Sequence, residues 1–127
     1  MSNNAINPEY ATKLLQEYRD IACRANLSTQ YPELYTGKSA DYIKQAHLLE
    51  QSLQILRTSC KKGEKYYWVL YVTYVVTPVP ETLLDTLDAI EKALNLPIPT
   101  STYYKYKAKA KTELAKILKF EIDNAEQ

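Results

Sequence analysis

The stretch over residues 64–76, EKYYWVLYVTYVV, constrains this chain more than any other part of it. Trp68, Val69, Tyr71, Val72, Thr73, Tyr74, Val75 and Val76 are aromatic or β-branched and favour extended backbone by local propensity. A strand, however, needs a partner for its backbone N–H and C=O groups. Nowhere else does the chain alternate polar and apolar residues or join β-branched runs through a hairpin turn. A lone strand would leave its ladder unpaired. The stretch is therefore expected to be a buried helix in which tertiary packing overrides propensity, and the chain to be all-α, with about five helices.

Helical periodicity and punctuation divide the rest. Asn7, Pro8 and Glu9 form a start signal, with a capping side chain, a proline at the first helical position and an acid in the first turn. The first helix is expected over 8–25, burying Tyr10 or Ala11, Leu14, Leu15, Tyr18, Ile21, Ala22 and Ala25 at three- and four-residue steps. A loop follows over 26–38, pinned to the core by Tyr31, Leu34 and Tyr35. The second helix, capped by Ser39, runs to 57 or 59 with Tyr42, Ala46, Leu49, Leu53 and Leu56 as its stripe, widened by Ile43, Leu48 and Ile55. Lys61, Lys62 and Gly63 make a turn into the aromatic helix. Thr77-Pro78-Val79-Pro80 ends that helix, because neither proline can donate a backbone hydrogen bond. A fourth helix is expected over 81–95, with Leu83 or Leu84, Leu87, Ile90 and Ala93 or Leu94 inward. Leu96-Pro97-Ile98-Pro99 is a turn, Thr100 or Ser101 caps a fifth helix over 100–122, and 123–127 fray.

A chain of 127 residues accommodates one domain, and 46% hydrophobic with 24% charged residues is ordinary for a folded globular protein. The longest apolar run falls short of the roughly 20 residues that span a bilayer, so no membrane association is expected. Residues 1–7 carry neither the basic start nor the apolar stretch of a secretory signal. Cys23 and Cys60 lack CxxC spacing and are expected as buried thiols of a cytoplasmic protein. His47, the single histidine, has no ligand grouping around it, and two glycines cannot form a phosphate-cradling loop. No cofactor, metal or enzymatic activity is expected. Asp85, Asp88 and Glu91 are read as a solvated helix face.

The net charge of +1 hides a strong asymmetry. Residues 77–96 hold Glu81, Asp85, Asp88 and Glu91 against Lys92, whereas residues 100–120 hold Lys105, Lys107, Lys109, Lys111, Lys116 and Lys119 against Glu113. Helix, short turn, and a basic helix opening with hydroxyl residues is the pattern of a helix-turn-helix, whose second helix enters the major groove of double-stranded DNA. At 100° per residue, Tyr103, Tyr106, Ala110, Glu113 or Leu114, and Ile117 share the packed side. Ser101, Thr102, Tyr104, Lys105, Ala108, Lys109 and Thr112 share the other, which has no acid. Ser101, Thr102, Tyr104 and Lys105 are the candidates for base edges or the phosphates bordering the groove. Lys107, Lys109 and Lys111 are candidates for backbone contacts, with Thr77 and Thr82 as weaker ones.

The runs KYYWVLYVTYVV and LDAIEKALNLPIPTSTYYKYKAKAKTELAKIL resemble the C-terminal half of the ArpU family of phage transcriptional regulators, related to the RinA group, in which an aromatic-rich helix precedes a helix-turn-helix like that of sigma-factor region 4. Ser101-Thr102-Tyr103-Tyr104, with Lys105 and Ala110 after it, carries most of the likeness. The first half fits more loosely, through Leu14-Leu15 with Tyr18 and through Leu53-Gln54-Ile55-Leu56. The resemblance implies a regulator of phage or prophage late genes acting in the cytoplasm of a bacterial host. The expected organisation is a helical scaffold and dimerisation region over 1–76, a DNA-binding helix-turn-helix over 77–122, and a tail over 123–127. A homodimer is expected because one short reading helix touches few base pairs, and contact with host RNA polymerase is expected with it. The rival is a protein-interaction module, such as a phage assembly or packaging adaptor, using the helix-two stripe and the Tyr/Trp helix as its surface.

Overall fold

A computed structural model describes residues 8–31 and 39–125. Five α-helices follow in order: α1 (Pro8–Gln30), α2 (Ser39–Ser59), α3 (Gly63–Leu70), α4 (Leu83–Leu94) and α5 (Thr100–Ala125). A π-helical turn over Tyr71–Val75 continues α3. No strand occurs among the described residues, and the β-prone stretch is helical as packing requires. Asn7, Leu34, Tyr35 and the last two residues lie outside the described residues.

Two clusters of buried side chains share the interior. The larger joins Ala11, Leu14, Leu15, Tyr18 and Ile21 of α1, Ala46, Leu49, Leu53 and Leu56 of α2, Tyr66, Tyr67 and Leu70 of α3, and Ala110, Leu114, Ala115 and Leu118 of α5. The smaller joins Val69 and Val72 to Leu87 and Ile90 of α4, Ile98 of the turn, and Tyr103. Successive residues of α3 serve both clusters, so this helix has almost no free face, which is why its sequence reads as continuously apolar. α5 packs along α1, α2 and α3 as well as carrying the N-terminal end that meets the smaller cluster.

Polar bonds fix the junctions. The π-turn closes with the Val76 amide donating to the Tyr71 carbonyl at 2.9 Å, after which Val76 is extended. Arg19 of α1 reaches across and donates from Nε and Nη2 to the Val76 carbonyl, at 3.1 and 2.9 Å. That carbonyl has no helical partner ahead of it, because the chain turns into Thr77 and Pro78. Burial lowers the pKa of the Arg19 guanidinium. The Tyr18 hydroxyl donates to Glu50 at 2.5 Å, and burial first, with the carboxylate second, drives its pKa far up.

Several expectations require correction. α1 runs to Gln30 instead of ending at Ala25, and Tyr31, expected to pin a loop, is exposed. Thr29 donates its hydroxyl to the Ala25 carbonyl and the Tyr31 amide donates to Leu27, so the polar end of the helix supplies its own bonds. Cys23 is exposed and Cys60 half-buried, because Cys23 falls beside the α1 stripe and not on it. Gly63 opens α3 instead of closing the turn. Leu83 and Leu84 are both exposed, since α4 packs on α3 and the π-turn through Leu87 and Ile90, with Ala89 and Leu94 half-buried beside them. The tail is helical as far as Ala125, with Lys119 paired to Asp123 at 3.1 Å.

Candidate nucleic-acid interface

The start of α5 is set by a short rigid connection. Thr82 caps α4, its Oγ accepting from the Asp85 amide at 3.1 Å. At the other end Asn95 adopts the left-handed conformation, φ 58°, that a glycine commonly supplies after a helix. The Asn95 amide donates to the Glu91 carbonyl at 2.7 Å, and the Ile98 amide donates to the Glu91 carboxylate at 2.8 Å. Glu91 is thus a clamp on the turn and not part of a solvated face, unlike the exposed Asp85 and Asp88. Pro97 and Pro99 have no amide hydrogen to satisfy, and Ile98 between them is buried among Val69, Val72, Ile90 and Tyr103. The Tyr103 amide then donates to the Pro99 carbonyl, so Pro99 holds the capping position and Thr100 and Ser101 lie inside the first turn of α5.

Tyr103 orients the new helix. Its ring is buried, and its hydroxyl lies 2.8 Å from Thr73 Oγ on the π-turn. With that side anchored, Ser101, Tyr104, Lys105, Ala108, Lys109 and Thr112 are exposed and Thr102 is half-buried. The Thr112 hydroxyl donates to the Ala108 carbonyl, which reduces its availability to a ligand.

Lys107 and Lys111 do not share that outer face. They are half-buried on one flank, where the Lys111 ammonium lies 5.4 Å and the Lys107 ammonium 6.0 Å from the centre of the Tyr74 ring. Lys107 also lies 5.6 Å from the Tyr103 and Tyr104 rings. Burial lowers the Lys111 pKa. The face read at 100° per residue is rotated slightly, because Leu118 and Ala115 are buried while Tyr106, Glu113 and Ile117 are only half-covered.

The opposite flank holds lysines that helix periodicity cannot reveal. Lys62 and Lys65, from the turn before α3 and its first turn, place their ammoniums 5.5 and 5.9 Å from the Tyr106 ring centre. Tyr106 is itself held edge-on to Tyr66 at 5.9 Å. Each such contact is worth about 0.5–1 kcal/mol at an exposed site, enough to bias where a flexible lysine rests. Exposed Lys61 adjoins them.

Ion pairing separates this region from the rest of α5. Lys116 is bonded to Glu113 at 3.2 Å, Lys119 to Asp123, and on α4 Lys92 to Asp88 at 3.3 Å. Among the described residues, Lys62, Lys65, Lys105, Lys107, Lys109 and Lys111 have no carboxylate within ion-pair distance. Six uncompensated ammoniums border a face of hydroxyls and one exposed tyrosine, an arrangement suited to neutralising phosphate while small side chains approach a groove. Thr77 is exposed, whereas Thr82 is committed to its cap.

Much of the surface assigned to the rival reading is buried, while Tyr42, Ile43, Leu48, Ile55, Trp68 and Tyr71 are half-buried. Ala46, Leu49, Leu53 and Leu56 of the helix-two stripe are in the core, as are Tyr66, Tyr67 and Leu70 of the aromatic helix. Exposed aliphatic and phenyl side chains among the described residues are Val79, Leu83, Leu84, Leu96 and Phe120. Among the described residues there is no group of three or more potential metal ligands and no helix long and apolar enough to cross a membrane. No family model matches the chain, and no curated protein or solved structure matches it.

Proposed function

We propose that this protein binds double-stranded DNA through the outer face of α5 and acts as a transcriptional regulator of the phage late-gene kind that its sequence resembles. One observation carries the reading: the first three turns of α5 expose Ser101, Tyr104, Lys105 and Lys109 with no acid among them, flanked by lysines that lack carboxylate partners. The major groove admits one α-helix, and the exposed hydroxyl and tyrosine side chains are of the types that reach base edges and phosphates there. A single such helix contacts few base pairs, so a homodimer on two half-sites supplies the specificity a regulator needs. Contact with the host polymerase belongs to the same reading.

Charge reversal tests it. Lys105→Glu with Lys109→Glu is expected to abolish gel-shift binding to late-promoter duplex, and wild-type binding should weaken steeply with salt, since each neutralised phosphate contributes about 0.9 to the slope of log K against log salt. Absence of wild-type binding at low salt would sink the proposal. A second reading, a protein-docking module, is favoured by the exposure of apolar side chains at the start of α4, where Leu84 is 74% exposed and Leu83 is exposed with it. Under that reading the same lysine reversals leave partner binding intact, while Leu84→Ser removes it.

A further inference from the structure

We infer that the turn before α3, through Lys61, Lys62 and Lys65, is a second anchor on the duplex, and that α4 is held away from the phosphates. The inference rests on the duplex-binding reading and adds to it an orientation. In the usual helix-turn-helix the first helix of the pair braces against the DNA backbone. Here α4 is ill-suited to that work. Its first turn carries Asp85, its exposed surface adds Asp88, and Glu81 precedes it. Its one lysine is paired to Asp88. The Thr82 hydroxyl, at the end where a phosphate would otherwise meet free amides, already accepts from the Asp85 amide. A phosphate brought to this helix end meets a carboxylate, and like charges repel.

The turn before α3 has the opposite character. Lys61 and Lys62 are exposed, Lys65 is half-buried, and the ammoniums of Lys62 and Lys65 rest over Tyr106. Tyr106 and Lys109 are three residues apart on α5 and so are neighbours on its surface. Charges from two elements distant in the chain thus meet along one edge of the reading face. The turn is also stiff. The Gly63 amide donates to the Cys60 carbonyl at 2.9 Å, the Tyr66 amide to the Lys62 carbonyl at 3.0 Å, and Arg57 binds Glu64 through both carboxylate oxygens at 2.8 Å. Lysines on a fixed turn lose less freedom on binding than lysines on a mobile one.

The test uses the full chain and a short fluorescein-labelled B-form duplex of mixed sequence, with binding followed by anisotropy across a range of salt. Lys62→Gln with Lys65→Gln removes two charges, and the salt slope is expected to fall by about 2, equally on unrelated sequences. An unchanged slope, when Lys105→Gln with Lys109→Gln does lower it, overturns the second anchor and leaves the DNA reading standing. Wild-type protein that binds no duplex overturns both. Amide exchange on the wild-type protein supplies a check that needs no variant: duplex should slow exchange across residues 60–66 and leave residues 83–88 unaffected. The reverse pattern would mean that α4 is the brace.

Discussion

Gly63 has no room for a side chain. A methyl group built on it would lie 2.3 Å from the Arg57 carbonyl oxygen and 2.4 Å from that of Leu56, both backbone atoms that cannot swing aside. Gly63→Ala should therefore destabilise by about 2 kcal/mol despite alanine's better helix propensity, because overpacking outweighs it. A denaturant midpoint equal to or above that of the wild type would contradict this account. Ser52 is the converse case. Its hydroxyl is fully buried with no hydrogen-bond partner among the described residues, so Ser52→Ala loses no bond and should be neutral or stabilising by up to about 1 kcal/mol, read from the same midpoint. Neither position is conspicuous in the sequence. A glycine near a predicted turn suggests conformational freedom, whereas what Gly63 supplies is room for one helix to start against the carbonyls that end another. Cys23 and Leu84 are misjudged for a related reason: a side chain close to an apolar stripe is buried only if a neighbouring element covers it, and periodicity says nothing about coverage.

The helices themselves were largely legible as elements. Proline pairs mark both sides of α4, and the aromatic segment is helical because nothing else in the chain could hydrogen-bond it as a strand. Boundaries were harder to read, because polar residues such as Thr29 can return their hydroxyls to the preceding turn and prolong a helix that propensity would end. The cap of α4 offers a direct measurement. Thr82→Ala removes the acceptor of the Asp85 amide and should lower stability by about 1 kcal/mol, with faster amide exchange at Asp85. Exchange unchanged at that amide would show the cap to be dispensable. For the candidate interface, counting along one helix was enough to find Ser101, Tyr104, Lys105 and Lys109 on the exposed side. It could not find Lys62 and Lys65, which reach that edge only because α3 crosses α5 and brings Tyr66 against Tyr106. It also could not see that the Tyr74 ring lies beside the ammoniums of Lys107 and Lys111.

At the scale of the whole molecule, tyrosines stand beside leucines in the core. Burial raises the pKa of the Tyr18, Tyr66, Tyr74 and Tyr103 hydroxyls in the folded chain. A raised folded pKa contributes stability that is fully present below the ordinary phenol value of about 10 and is lost as pH rises above it. Helicity and phenolate absorbance measured together should therefore show alkaline unfolding beginning near that pH, with these four ionising as the helices melt. Free ionisation of all tyrosines with helicity intact would contradict the burial assigned to them. One further property follows from the way α5 belongs to both clusters of buried side chains. Its inner side is committed from Tyr103 to Leu118, so tilting the end that carries Lys105 would drag the far end across its neighbours. The end of α5 that carries Lys105 is therefore expected to meet a ligand without reorienting on the helices beneath it, and the heat-capacity change of association should follow the contact surface.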